Sequence, residues 1–252
     1  MSNHAIGSSA PGGRKTPRTR TRTIDRNEVF VYEAPIRLWH WINALAILTL
    51  MVTGYLIASP LPSLSGEASD HFMMGYIRFT HFAAAYIMIV GFVFRVFWAI
   101  VGNIHARQIF LPPIHRMSWW GGIIYSVRWY LFLVREPRKY IGHNPLATLG
   151  MHFGFLWLTV FLMVTGLALY GEGAGYDSWQ HRFFSSWVIP LFGQSQDVHT
   201  YHHLAMWGMV IFIIVHVYAA VREEIMSRQS MMSSMFSGWR NFKDDLPMDS
   251  DH

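Results

Sequence analysis

TYHHLAMWGMVIFIIVHVYAAV (residues 200–221) carries two histidines, His202 and His216, fourteen residues apart in an otherwise apolar segment. At 100° per residue, fourteen steps leave them only about 40° apart around a helix, and roughly 21 Å apart along its axis. They therefore share one face. A hydrocarbon slab is about 30 Å thick, so a spanning helix places each of them near a different leaflet. Imidazole inside a bilayer is costly and rarely idle. One metal ion cannot take ligands so far apart; two stacked haem irons can.

The composition agrees with a membrane setting. Of 252 residues, 52% are hydrophobic, 16% aromatic and 14% charged, where a soluble domain carries about 25% charged residues. Stretches at residues 38–58, 79–101, 147–170 and 202–221 reach the length of about 20 apolar residues that a spanning helix needs. The sequence predicts an all-α membrane protein with one four-transmembrane-helix bundle at residues 29–224. Residues 1–28, rich in Gly, Pro, Ser, Thr and Arg, read as a disordered basic tail. Residues 225–252 read as a polar, Met-rich C-terminal tail whose methionines contact lipid or a partner. The Arg-rich start runs into a long span without a small-residue cleavage site, which reads as an uncleaved anchor rather than a signal peptide.

Basic residues set the expected orientation. Eighteen of the Lys and Arg residues fall before the first span, at the end of the second, between the second and third, or after the fourth; only Arg78 and Arg182 fall in the other two connections. That bias places both termini in the cytoplasm. The formal charge of +5 then reads as topology and contact with anionic lipid, not nucleic acid. Within the long second connection, Leu111-Pro112-Pro113 makes a break. The segment SWWGGIIYSVRWYLFLV (residues 118–134) that follows is too short to span. It is expected to lie as an interfacial amphipathic helix among the headgroups, with a re-entrant segment as the alternative. There is no cysteine. This excludes disulfides, covalent c-type haem attachment and any iron–sulfur cluster ligated by this chain.

The chain repeats itself. His40 runs to Met51-Val52-Thr53-Gly54 as His152 runs to Met163-Val164-Thr165-Gly166, and His81 precedes Arg95 by fourteen residues as His202 precedes His216. Spans one and two look like a diverged copy of three and four. Of the fourteen histidines, those in the spans are His40, His81, His152, His202, His203 and His216. Depth sorts them into two pairs, His40 with His216 towards the cytoplasm and His81 with His202 towards the outside. Each pair suits one bis-histidine haem b. With both axial positions filled, no site is left for oxygen or substrate, so electron transfer is implied rather than catalysis at iron.

His203 points about 100° away from His202 around the helix, which makes His202 the better ligand. Three readings stand for His152: replacing His40, contacting a propionate, or contacting a quinone. Arg95 reaches the inner level, where it either pairs with haem propionates or snorkels to the headgroups. Gly54, Gly91, Gly166 and Gly208 lie inside helices, where small residues admit a flat macrocycle or a neighbouring backbone.

Together VYEAPIRLWHWINALAILTLMVTGYLI, RFTHFAAAYIMIVGFVFRVFWAIVGN, HNPLATLGM and HHLAMWGMVIFIIVHVYAAVREEI resemble the b-type cytochrome subunit of membrane-bound nickel–iron hydrogenases, over about residues 29–224. The wider group includes cytochrome subunits of formate dehydrogenase and thiosulfate reductase. The resemblance implies ligands on the first, second and fourth helices, matching His40, His81, His202 and His216. It also implies a bacterial inner-membrane location. The partners would be an iron–sulfur small subunit with a single membrane helix and a large nickel–iron subunit on the periplasmic side. Electrons from hydrogen would then reach membrane quinone near the cytoplasmic face, and the hydrogen chemistry would belong to the partner. Outer loops 60–77 and 171–201 would dock that partner. His143 and Asn144, in the polar turn opening the third span, are candidates to hydrogen-bond a quinone; Asn144 reads equally as a helix cap before Pro145. A formate dehydrogenase or other reductase partner, and a histidine-dependent transporter, are the competing readings.

Overall fold

The computed structural model describes residues 27–62, 71–227 and 229–242. Most of the basic N-terminal segment, part of the first far-side loop and the acidic C-terminal end lie outside the described residues. Four helical segments are long and apolar enough to cross a membrane: Ala34–Ala58, Met73–Val101, Pro145–Ala174 and Ser195–Met226. The most apolar 18-residue windows bury only 17–28% of their residues against the rest of the protein. Leu45, Val90, Val93 and Ile211 stay exposed. A helix apolar all round whose flanks stay open has lipid as its solvent, because its backbone bonds are all internal. The protein is a multi-pass membrane bundle.

The first span, α1 (Ala34–Ala58), follows Glu33 and carries Pro35 in its first turn. A proline in the first turn of a helix sacrifices only a donor that would have been unpaired. The second span is α2 (Met73–Val101), followed by a short α3 (Ile104–Arg107) capped by the Asn103 side chain. The α4 helix (Met117–Tyr130) then leads to the third span, composed of α5 (Pro145–Gly150), a π-helical stretch (Met151–Trp157) and α6 (Leu158–Ala174). A second π-helical turn (His181–Ser185) and α7 (Ser186–Phe192) precede the fourth span, α8 (Ser195–Met226). The α1 helix packs along α2, α6 along α8, and α1 also against α8. The two halves read as repeats thus form two helix pairs. The central core layer is Trp39, Ala46, Ile47, Met88, Phe155 and Met209.

The segment expected to lie at the interface is α4, which ends four residues before the apolar run does. Its buried residues Trp119, Gly122, Ser126 and Trp129 fall on one helical face, while Trp120, Ile124 and Val127 stay exposed. Arg222 from α8 closes its C-terminus, donating to the carbonyls of Trp129 (2.9 Å) and Tyr130 (3.0 Å). A cation there satisfies orphan carbonyls and opposes the helix dipole.

The boundary at residue 225 needs correction, because a folded cap continues beyond it. Strand β1 (Asn27–Phe30) pairs antiparallel with β2 (Trp239–Phe242), and α9 (Met231–Ser237) sits between α8 and β2. Gly238 makes the turn at φ 88°, and a Cβ on it would lie 2.7 Å from the Tyr32 carbonyl oxygen, so only glycine fits. The physical reason is Arg240, 1% exposed. It donates to the carbonyls of Ile141 (2.9 Å) and Gly142 (2.7 Å) and to Gln229, and lies 3.9 Å from Glu223. A polar sequence reads as a solvated tail until one of its cations finds buried partners.

Removing that cation strands the Glu223 carboxylate, and loss of one member of a buried pair costs about 3–5 kcal/mol. Arg240→Met is therefore expected to lower the thermal stability of the purified protein and open residues 226–242 to protease. Adding Glu223→Gln should recover part of the loss; equal stability of Arg240→Met and the unaltered protein contradicts this account.

Candidate haem sites

Each end of the bundle gathers a pair of histidines. At the end bearing the cap, His40 of α1 faces His216 of α8 with ring centroids 6.5 Å apart. A metal–imidazole nitrogen bond is about 2 Å long, so two imidazoles on one iron leave ring centroids about 6.3 Å apart. The pair fits bis-histidine ligation of a haem. Phe212, one turn earlier on α8, stacks on His216 at 5.6 Å and 18°. The Nδ1 of His40 is buried without a hydrogen-bond partner.

At the far end, His81 of α2 and His202 of α8 line one cavity of about 880 Å³ bounded by all four spans. That volume lies within the 300–1,000 Å³ of ordinary cofactor sites. Its walls include Leu50, Met51, Leu162, Met163 and Met206, and Arg78, Gln196 and His199 line it near the helix starts. Phe82 and Tyr86 of α2 meet Tyr170 of α6 at 4.7 and 6.0 Å, linking the two helix pairs at this level. An apolar slot with an imidazole from each half and polar groups at one end fits a haem with outward propionates.

The far-end imidazoles are held alike. The Nδ1 of His81 lies 2.9 Å from Thr53 Oγ1, and that of His202 lies 2.8 Å from Thr165 Oγ1. A Cβ on Gly54 would come 3.3 Å from His81 Cε1, and one on Gly166 would come 3.2 Å from His202 Cε1. The other two helical glycines meet packing side chains instead, Gly91 against Trp39 and Gly208 against Leu158.

Other residues singled out by sequence divide differently. His203 also lines the far cavity, yet its Nε2 accepts from Trp207 Nε1 at 3.1 Å, whereas His202, also lining the cavity, is engaged through Nδ1 by Thr165. His152 is engaged on both nitrogens, Nδ1 with the Ile109 carbonyl (2.9 Å) and Nε2 accepting from Trp157 (3.1 Å), so it is not set up to replace His40. Arg95 is 3% exposed, which removes the snorkelling alternative. It donates to the Ala106 carbonyl at 2.7 Å and lies over the Trp39 and Phe110 rings. Its Nε and Nη1 are buried without partners, leaving two donors for an anion.

Asn144 is spent structurally: Oδ1 accepts from Ala147 N at 2.7 Å and Nδ2 donates to Glu223. The capping alternative describes it. His143 beside it meets the Tyr32 hydroxyl at 3.4 Å. Burial first, then the charges of His216, Arg240, Arg95 and His105, hold His143 down to about 3. Burial likewise pushes the Tyr32 hydroxyl up to about 12. Both are neutral at pH 7. Sequence reasoning missed Tyr32, Thr53, Thr165, Arg222 and Arg240; the repeated Thr before each repeated Gly was the available signal for two of them.

The sequence model for "Prokaryotic cytochrome b561" matches residues 31–238. A "Probable Ni/Fe-hydrogenase B-type cytochrome subunit" of Azotobacter vinelandii is 62% identical over 219 residues, covering 87% of this chain and 91% of that protein. The protein of the same description from Cupriavidus necator is 58% identical over 215 residues, 85% and 88% of the two chains. The "Probable Ni/Fe-hydrogenase 1 B-type cytochrome subunit" of Escherichia coli K12 is 46% identical over 215 residues, 85% and 91% of the two chains.

A histidine with a depressed pKa in the fold binds its proton more readily when unfolded, so stability falls as pH falls. For His143 the loss begins below its ordinary value near 6.5 and continues towards about 3. His143→Gln, neutral throughout, should show a shallower drop in melting temperature between pH 7 and pH 4.5 than the unaltered protein; parallel drops contradict the assignment.

Proposed function

The chain belongs to the prokaryotic cytochrome b561 family, and we propose on that premise that it is the dihaem membrane anchor of a respiratory nickel–iron hydrogenase. It passes electrons from a partner's iron–sulfur chain to membrane quinone. The chain is a hydrogenase-type b cytochrome subunit and carries haem b; the count of two, the route and the partners are the proposal. The observation that carries it is the facing of His40 and His216 at 6.5 Å, with a second histidine pair around a cofactor-sized cavity at the other end.

Haem b with two histidine ligands supplies one-electron redox chemistry while both axial positions stay closed. The chain's own part is to hold two such groups at two depths. Trp39, Ile47, Met88, Phe155 and Met209 fill the layer between them and exclude water there. The basic-residue bias supports cytoplasmic termini, with the cap end inside and the bundle in the bacterial inner membrane. His143, whose ring sits beside Tyr32, remains the polar side chain of its turn best placed for a quinone carbonyl. On the far face Trp179, Phe183, Trp187 and Leu191 are exposed at four-residue spacing, which supports residues 171–201 as a docking surface. The other loop reading, residues 60–77, lies partly outside the described residues.

Pyridine haemochromogen analysis of the purified protein should give two haems b per chain. His216→Ala or His40→Ala should remove one and spare the other, and His81→Ala or His202→Ala should do the reverse. A colourless protein, or loss of neither haem on replacing His216, refutes the pairing. Co-purification should bring hydrogenase subunits; a formate dehydrogenase in their place overturns the partner assignment.

A further inference from the structure

We propose that Thr53 and Thr165 are positioning residues for the far-end haem, each fixing the tautomer of one axial histidine and lowering the cofactor's midpoint potential. The inference rests on the reading of His81 and His202 as ligands of one haem.

The argument starts from where each hydroxyl proton goes. Thr53 Oγ1 donates to the Thr49 carbonyl at 2.7 Å, and Thr165 Oγ1 donates to the Phe161 carbonyl at 2.7 Å. A threonine hydroxyl has one proton, and in both cases its own helix takes it. What Oγ1 still offers is a lone pair. The imidazole nitrogen 2.9 Å from Thr53 and 2.8 Å from Thr165 must therefore be the donor. Nδ1 carries the proton, and Nε2 is left with a lone pair for iron.

Neither threonine needs the histidine to be satisfied. The hydroxyls are buried, Thr53 at 8% and Thr165 at 1% exposure, so water does not compete for the bond. The following glycine completes each device. A Cβ on Gly54 would come 3.3 Å, and one on Gly166 3.2 Å, from the ring carbon between the two nitrogens, so any side chain there would press on the imidazole and glycine leaves it room. Thr-Gly thus acts twice, once on each side of the cavity, at the same place in Met51-Val52-Thr53-Gly54 and Met163-Val164-Thr165-Gly166. At the cap end His40 Nδ1 has no partner, so the two haem sites differ in this respect.

A ligating histidine whose second nitrogen donates a hydrogen bond is a more basic ligand, and removal of such partners costs 10–100-fold in affinity. A more basic ligand favours ferric over ferrous iron. The pair of threonines therefore biases the far-end site toward the lower potential, and the orphaned His40 leaves the cap-end site without that bias.

The test uses the full-length chain purified with its haems. Thr53→Val and Thr165→Val keep the shape and remove the acceptor. Optical redox titration should show one of two midpoints raised in each variant and raised further in the double variant, with the other midpoint unmoved. Thr53→Ser and Thr165→Ser, which restore the acceptor, should return toward the original value. Haem retention during dilution should weaken by 10–100-fold in the valine variants. If a valine variant does not accumulate, Thr53→Ala and Thr165→Ala carry the same comparison. Two bound haems with unmoved midpoints, or serine variants that behave like valine, overturn this inference alone. Fewer than two haems in the unaltered protein overturn the reading beneath it.

Discussion

A polar group inside the hydrocarbon layer has no water to fall back on, and the rest of this architecture depends on how each one is answered. An unsatisfied donor or acceptor there costs several kcal/mol. The chain places histidine on all four of its spans, with buried arginines on two of them, and answers them in distinct ways. His81 and His202 take a threonine from the preceding helix of their own half. His152 takes a carbonyl and a tryptophan. His40 and His216 are left facing each other, an arrangement that is costly unless something between them binds.

The two halves answer that constraint alike at one end and differently at the other. At the far end the halves still act alike, with matching Thr, Gly and His. At the cap end they part. His40 and Arg95 belong to the first half, and His152 and His216 occupy the matching positions in the second. One member of each half, His40 and His216, faces across the bundle. The other two turn to the same stretch of chain, Arg95 to the Ala106 carbonyl and His152 to the Ile109 carbonyl. The positions matching the facing histidines serve instead as struts that hold the second connection against the bundle.

The cap follows from the same economics of burial at the membrane edge. Arg240, Glu223, Asn144 and Gln229 satisfy one another beneath β1 and β2, and Arg222 closes α4. These contacts tie the polar ends of the third and fourth spans to α4 and the cap. They also place His143 and Tyr32 in a dry setting, where neutral groups persist at ordinary pH.

Much of this was readable from residue order, because helical spacing and hydrocarbon thickness are properties of the chain and its solvent alone. Four apolar runs of spanning length, histidines fourteen apart, a repeated Met-Val-Thr-Gly and a lopsided charge count need no contacts to interpret. They determined the bundle, the two depths and which histidines share a stripe. Tertiary structure decided what depends on a partner distant in sequence: that Thr53 meets His81 and Thr165 meets His202, that Arg95 is buried rather than snorkelled, that Asn144 is spent on a cap and Glu223. It also decided that residues after 225 fold back, since a hydrogen bond between Arg240 and Gly142 leaves no periodic trace in either segment.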